Sequence, residues 1–201
     1  MGQVSEKFDA TGEYFKNTAA NFVLGGNFNS RLNLNLRENK GYTYGIFSAT
    51  TGNKYTGRFT ISASVKRSST AASLAEIMKE VSNYKENGVS DEDVAFTKNS
   101  MLNSEALQYE TPDQKASFLY DIAYYKLDKD FKAKQAAALK LMSKEDFNAQ
   151  IKKMIDPSKM AIVIVGDKDM IKDQLEKMNV TNVKDFNDKL NVKKVKNIDL
   201  D

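Results

Sequence analysis

Residues 36–44, with the sequence LRENKGYTY, place an arginine and two tyrosines close together along the chain. All three side chains donate hydrogen bonds, and Tyr44 follows Arg37 by seven residues. Arginine is otherwise scarce, since only four of the 30 basic side chains are arginine. A guanidinium offers a planar, directed set of donors that an ammonium lacks, so arginine suits the recognition of an oxygen acceptor. The four arginines are Arg31, Arg37, Arg58 and Arg67.

Each of these residues also has a purely structural interpretation. A cation near the C-terminus of a helix is mildly favourable in any protein, so Arg37 alone does not define a site. Tyr42 suits packing, and Gly41 suits a tight turn. Arg31 and Arg58 suit surface positions or ion pairs. The stretch therefore suggests a site that donates hydrogen bonds to an oxygen acceptor, and this hypothesis needs support from the rest of the sequence.

The chain contains no histidine and no cysteine. Zinc enzymes take their ligands mostly from these two residues, so this chain alone is not expected to hold a catalytic zinc. Their absence also excludes Ser-His-Asp and Cys-His catalysis. Glu76 and Glu80 have the spacing of an acid-base pair, but Lys79 beside them indicates a solvated helix face.

Charge and hydropathy argue against two further classes of protein, those that bind nucleic acid and those that span a membrane. The net charge is +3 and the signs alternate along the chain, so nucleic acid is not an expected partner. The longest apolar run, AIVIV at 161–165, is far shorter than the roughly 20 residues of a membrane span.

Length and composition suit one domain over 1–201. Frequent lysine and asparagine suggest an AT-rich bacterial genome, with the periplasm or cell envelope as a hypothesis for the compartment.

Hydrophobic spacing predicts the elements that must position the donors. Residues 9–24 have helical spacing and end at Gly25-Gly26, which predicts a helix closed by a left-handed glycine turn. Over 29–38 the leucines alternate as in a strand, although leucine and asparagine are poor strand formers, so the pattern leaves both structures open. Residues 42–65 alternate on either side of a turn at 51–53, which predicts an antiparallel hairpin.

The remainder of the chain is mainly helical in pattern. The run MAIVIVG at 160–166 predicts a buried strand, after which Asp167 is expected to begin a helix. A short strand is expected near 192–199. The order of elements predicts an α+β fold, a mostly antiparallel sheet with helices packed on one side. Capping boxes predict three helix starts, at Ser90 with Asp93, Thr111 with Gln114 and Ser143 with Asp146.

Two stretches together resemble a known family. LGGNFNSRLNLNLRENKGYTYGIFSA at 24–49 resembles the metal-free half of the pitrilysin family of zinc peptidases, which includes insulin-degrading enzyme and the mitochondrial processing peptidases. LMSKEDFNAQIKKMIDPSKMAIVIVGD at 141–167 is similar to the family's late helix-strand passage. The family's stretch is helical, so the resemblance favours a helix over 29–38. The residues that match are Gly25, Gly26, Ser30, Arg31, Leu32, Leu36, Arg37, Glu38, Gly41 and Tyr44.

Two features depart from the family pattern. Tyr42-Thr43 stands where the family commonly has a small or aliphatic pair, so the choice of Tyr44 rests on its spacing from Arg37. The family half usually begins with a strand before its first helix. No such strand is convincing here, and the chain is expected to be a fragment that lacks it.

The resemblance implies a function shared between two halves. Zinc would lie in a homologous partner half, supplied in cis or in trans, on a helix with the motif H-x-x-E-H. Arg37 and Tyr44 would donate hydrogen bonds to the substrate carbonyl at the scissile bond of a peptide or unfolded polypeptide, with Gly41 and Tyr42 beside the substrate. This chain alone would be inactive. The alternative is a catalytically silent scaffold or a peptide-binding subunit of the same fold.

Overall fold

The computed structural model describes residues 1–105 and 109–177 of the 201-residue chain. The chain divides into two compact units, Met1–Ile164 and Val165–Asp201. The described part of the second unit contains helix α8, whose bounds are given below. The single domain over 1–201 stays a prediction, and the strand expected near 192–199 lies outside the described residues.

The first unit contains an antiparallel sheet. Its strands in the described residues are β1 (Gly2–Ser5), β2 (Thr43–Gly52) and β3 (Gly57–Val65), in the order β1-β3-β2. Every pairing between them is antiparallel. Alternate residues of β3, such as Phe59 and Ile61, are buried, while those between them are more exposed. The predicted α+β fold is confirmed.

Strand β1 corrects the expectation that no strand precedes the first helix. Gly2 lies opposite Thr60, and Ser5 lies opposite Gly57. Four residues that include a glycine carry little strand signal of their own, so this strand depends on its pairing with β3. The predicted hairpin is confirmed, with its turn at 53–56 instead of 51–53.

The helices agree with the predicted starts. All three predicted capping boxes are present, at the first residues of α4, α5 and α7. Asp167 caps α8, since its side chain accepts from the Met170 N–H. Two helices continue into wider π-helical turns. The helices are α1 (Glu13–Asn21, then π-helical Phe22–Gly26), α2 (Arg31–Asn33, then π-helical Leu34–Asn39), α3 (Thr70–Asn87), α4 (Asp91–Ser104), α5 (Pro112–Tyr125), α6 (Phe131–Leu141), α7 (Lys144–Met154) and α8 (Lys168–Glu176).

A buried tyrosine and an arginine together join four helices of the first unit. Tyr84 of α3 donates its hydroxyl to the Ala20 carbonyl at 2.7 Å, which ties α3 to α1. The guanidinium of Arg31 lies 5.0 Å from the centre of the same ring, and its Nη2 lies 2.6 Å from Asp93 Oδ2 of α4. Arg31 is therefore a structural ion-pair residue. Other side chains that are fully buried here are Leu24, Leu32, Leu36, Ile46, Phe59, Phe147 and Ile151.

The first helical segment ends at Gly25-Gly26, as predicted, but not through a left-handed turn. The glycines with positive φ in the described residues are Gly41 and Gly88. A Cβ added to Gly25 would lie 2.7 Å from the backbone nitrogen of Ser48, too close for any side chain. Glycine at position 25 lets the helix end pack directly against β2.

The prediction of a buried strand at 160–166 is wrong. Ala161 forms an isolated bridge with Gly2, and the next residues, Ile162 and Val163, are 39% and 66% exposed. A run of β-branched residues indicates that a segment fits a sheet, but a buried strand also needs paired neighbours and a cover. Within the described residues, Gly2 alone pairs with this run.

Candidate functional site

Helix α2 carries Arg37, and its buried leucines explain why it is a helix. Leu32 and Leu36 are fully buried, whereas Leu34 between them is 47% exposed. A strand would place all three leucines on one face, so burial four residues apart settles the open choice in favour of a helix. The predicted helix over 29–38 is observed over 31–39, with a π-helical second half. Wider turns of this kind are frequent at functional sites.

Arg37 lies at the end of this helix with two neighbours. Its guanidinium carbon lies 4.2 Å from the centre of the Phe28 ring, a cation–π contact. Its Nη1 lies 2.6 Å from Glu38 Oε1. The Arg37 side chain keeps 31% of its surface exposed. The guanidinium is therefore held over an aromatic face while part of its donor edge stays open to solvent.

Gly41 and Tyr42 close the helix and turn the chain toward β2. Gly41 has φ of 62°, a left-handed conformation that favours glycine, and its N–H donates to the Arg37 carbonyl at 3.2 Å. The Tyr42 N–H donates to the Leu36 carbonyl at 2.8 Å. A Cβ on Gly41 would meet nothing within 4 Å, so backbone conformation and not space requires glycine.

Tyr44 lies on β2 at an irregularity in the pairing with β3. Thr43 pairs with Val65 and Ile46 with Ala63, so three steps along β2 match two along β3, which is a β-bulge. The Thr43 hydroxyl accepts from the Gly45 N–H at 3.1 Å and lies 2.6 Å from the Ser64 carbonyl, its acceptor across the pair. Tyr44 is 98% exposed. The bulge thus directs an aromatic hydroxyl into solvent.

The two predicted donors lie at the two ends of one turn, on different elements. In the described residues, no hydrogen bond or ring contact joins the side chains of Arg37 and Tyr44. Arg37 has protein partners, whereas Tyr44 has no hydrogen-bond partner for its hydroxyl in this part of the chain. Both side chains are accessible to a group outside the chain.

Two asparagines of α2 hold this helix in place from opposite sides. Asn33 Nδ2 donates to the Ile46 carbonyl of β2 at 2.8 Å, and its Oδ1 accepts from the Ile46 N–H at 3.0 Å. Asn35 Nδ2 donates to Glu76 Oε2 at 3.0 Å and to Glu80 Oε1 at 2.7 Å, both on α3. The hydrogen bond from Asn35 is the main cause that lowers the pKa of Glu76 below its ordinary value. Glu76 and Glu80 therefore brace α2 and do not form an acid-base pair.

The remaining polar residues suggest no further chemistry at this site. Arg58 Nε donates to Thr51 Oγ1 at 3.0 Å across the hairpin, which is a structural role. In the parts of the chain that the structure describes, no group of three or more acidic residues could hold a metal ion. Since histidine and cysteine are absent as well, these residues do not fit a zinc site. No described helix is long and apolar enough to cross a membrane.

Sequence reasoning missed three residues that shape the site. Phe28 contacts Arg37, Thr43 fixes the bulge, and Asn33 joins α2 to β2. An aromatic residue in the polar segment NFNS was a weak signal for Phe28. The sequence around Thr43 and Asn33 does not indicate their roles. Thr43 acts at a β-bulge that depends on the pairing with β3, and Asn33 acts on Ile46 of another element.

The described part of the chain therefore has an α+β fold with an antiparallel sheet, carries Arg37 and Tyr44 at one helix-to-strand turn, and does not fit a zinc site. The chain belongs to the family described as the Peptidase M16 inactive domain, whose model matches residues 1–101. The resemblance read from the sequence is thereby confirmed.

Relatives and solved structures agree with this family. The chain is 27% identical over 147 residues to the "Non-peptidase homolog YmxG" of Helicobacter pylori, covering 73% of this chain and 34% of that protein. The peptidase M16 inactive domain structure from Pseudomonas fluorescens matches with a TM-score of 0.68 and 21% identity over 79% of this chain and 38% of that one. A protease from Helicobacter pylori matches with a TM-score of 0.67 and 15% identity, with the same coverage of 79% and 38%. The chain thus spans about a third of the length of these proteins, and the structural matches show the fold alone.

Proposed function

We propose that this chain is the metal-free half of a zinc endopeptidase, which closes over an extended peptide and presents Arg37 and Tyr44 to the scissile carbonyl. A homologous half, in cis or in trans, would hold the zinc and activate the water. The α2 helix and the β2 strand would face the chamber between the halves. The substrate would be a peptide or an unfolded polypeptide.

In this proposal, the two residues stabilise the negative charge that develops on the substrate during hydrolysis. Peptide hydrolysis builds negative charge on the carbonyl oxygen, and a donor aimed at that oxygen contributes about 3 kcal/mol to lowering the barrier. Arg37 would supply a charged donor from the helix end. Tyr44 would supply a neutral donor from the strand. Neither needs to gain or lose a proton, so the chain acts by positioning donors.

The exposure of Tyr44 is the observation that carries this proposal. A tyrosine that is 98% exposed contributes little to the core, yet Thr43 and the bulge fix the backbone that bears it. Bulges that redirect a side chain are frequent beside active sites. A packing role, which is the structural alternative for a tyrosine, does not apply to a side chain with so little burial.

The test uses the full-length protein together with its zinc-bearing half and a peptide substrate. Arg37→Ala or Tyr44→Phe should each lower kcat by about 10²- to 10³-fold, with a smaller change in KM, because the hydrogen bond strengthens in the transition state. Arg37→Lys should restore little of the lost rate, since an ammonium cannot reproduce a directed guanidinium. Tyr42→Phe should cost less than Tyr44→Phe.

Two matched variants control for the loss of an exposed side chain. Arg58→Ala and Tyr55→Phe change an arginine and an exposed tyrosine elsewhere on the hairpin, and they should leave kcat within about twofold. Bound zinc should be the same in every variant. If the Arg37 and Tyr44 variants behave like these controls, neither residue stabilises the transition state and the proposal is wrong.

A scaffold is the second candidate function, and the name of the YmxG relative favours it. A scaffold half would dock to its partner without taking part in hydrolysis. It predicts that substitutions in the interface abolish assembly, while Arg37→Ala and Tyr44→Phe leave every rate unchanged. The same set of variants therefore separates the two functions.

A further inference from the structure

Asn33 joins the two elements that carry the proposed donors. It lies on α2 four residues before Arg37, and its partner, Ile46, lies on β2 two residues after Tyr44. Asn33 is 1% exposed and Ile46 is fully buried. Through one side-chain amide, Asn33 satisfies both the N–H and the C=O of Ile46, as a neighbouring strand would.

The side-chain amide of Asn33 supplies both the donor and the acceptor that these two hydrogen bonds need. The second N–H of the same amide has acceptors within reach, the Ser30 hydroxyl at 3.3 Å and the Asn27 carbonyl at 3.4 Å. Without the amide, the buried polar groups of Ile46 would lose their partner, at a cost of about 1–3 kcal/mol for each. The helix and the strand would also lose the direct polar link between them.

Asn21 makes a similar contact and serves as a comparison. Its Nδ2 donates to the Ser48 carbonyl of β2 at 2.7 Å, and its Oδ1 accepts from the Ser48 hydroxyl. Asn21 is 4% exposed, so its environment matches that of Asn33. It belongs to α1, however, and α1 carries neither of the proposed donors. The two asparagines therefore separate the stability of the fold from the geometry of the site.

We infer that Asn33 is a positioning residue, which sets the separation and orientation of Arg37 and Tyr44 by fixing α2 to β2 at Ile46. This inference rests on the proposed function. Two donors that act on one carbonyl must both be placed to within about 0.5 Å, and an error of about 1 Å can cost up to 10²-fold in rate. Asn33 would hold that placement without touching the substrate.

The experiment compares Asn33→Ala with Asn21→Ala in the full-length protein assembled with its zinc-bearing half. Both variants should lower the urea midpoint to a similar degree, because each removes a buried amide that pairs with β2. Only Asn33→Ala should lower kcat, by about 10-fold or more, with KM changed by less than about threefold. Hydrogen exchange of the Ile46 amide should accelerate in Asn33→Ala and report the loss of the bond.

A double variant tests whether Asn33 acts through Arg37. If it does, Arg37→Ala should cost less kcat in the Asn33→Ala background than in the wild type, since the donor is already misplaced. Should Asn33→Ala fail to fold, Asn33→Ser, which keeps a small polar group, is compared with Asn21→Ser by the same measurements.

The outcomes separate this inference from the function on which it rests. Equal losses of kcat in the Asn33 and Asn21 variants, with Arg37→Ala still strongly impaired, would overturn the positioning role alone. If Arg37→Ala itself leaves kcat unchanged, the proposed function fails and the positioning role fails with it. Additive losses in the double variant would likewise contradict a role through Arg37.

Discussion

Arg37 and Tyr44 are held by different means, although the sequence presents them as a pair. Arg37 has contacts through its own side chain, to the Phe28 ring and to Glu38. Tyr44 has its position fixed through the backbone, by the bulge that Thr43 stabilises. A long, flexible guanidinium needs side-chain neighbours to limit its rotamers, whereas a tyrosine ring needs only a fixed backbone and two dihedral angles.

This difference predicts different behaviour on binding. In the proposed function, Arg37 meets a carbonyl oxygen either through the donors that its ion pair with Glu38 leaves free or by exchanging that ion pair, while the hydroxyl of Tyr44 is already available. An exposed ion pair contributes only about 0–1 kcal/mol, so this exchange is inexpensive. What matters for both residues is the backbone beneath them, namely the packing of α2 and the turn that ends it.

The largest effect on stability should come from the buried face of α2. Leu36→Ala removes a fully buried side chain and should lower the free energy of unfolding by about 2–5 kcal/mol. Leu34→Ala, in the same helix but 47% exposed, is the matched control and should cost about 0.5 kcal/mol. Urea unfolding of both variants measures this contrast. Equal losses would mean that α2 does not rest on the core through Leu36.

A smaller effect should come from the turn between Arg37 and Tyr44. Gly41 has φ of 62°, so Gly41→Ala should cost about 1–2 kcal/mol of unfolding free energy. Gly41→Asn should cost less, because asparagine tolerates the left-handed conformation better. Since the space around Gly41 is open, a clash cannot explain the loss. If alanine were as stable as glycine in urea unfolding, the turn would not need its left-handed residue.

The smallest effect should be the response of α2 to acid. The pKa of Glu76 is lowered in the folded state, first by the Asn35 hydrogen bond and further by Lys40 and Lys79. Its contribution to stability is therefore present above the ordinary value of 4.5 and is lost as the pH falls through the lowered folded pKa. Glu76→Gln should reduce the loss of stability below about pH 4.5.

The measurement is the urea midpoint across the acid range. Glu86→Gln, at an exposed position of the same helix, controls for the change in net charge. A Glu76→Gln profile parallel to that of the wild type would show that the Asn35 bond does not stabilise the ionised carboxylate.

The parts of the fold that follow from nearby residues could be predicted. The capping boxes at α4, α5 and α7 each lie within four residues, and the hairpin follows from alternation on both sides of a turn. The strand-like leucines of α2 were ambiguous, because alternation and helical spacing both fit so short a segment. The family resemblance resolved that choice correctly.

What could not be predicted depends on contacts between distant residues. The run at 160–166 has the composition of a buried strand but meets Gly2 in a single bridge, and β1 forms only because β3 lies beside it. The same limit applies to the site. Arg37 and Tyr44 stand out by type and spacing, whereas the contact of Asn33 with Ile46 joins residues 13 apart and carries no local signal.

The most direct test of the proposed function is the double variant Arg37→Ala, Tyr44→Phe in the full-length protein assembled with the proposed zinc-bearing half. We expect kcat/KM on a peptide substrate to fall by at least about 10²-fold, while bound zinc, assembly and the urea midpoint stay as in the wild type. A double variant that keeps the wild-type kcat/KM would contradict the proposed function and leave the scaffold as the remaining function.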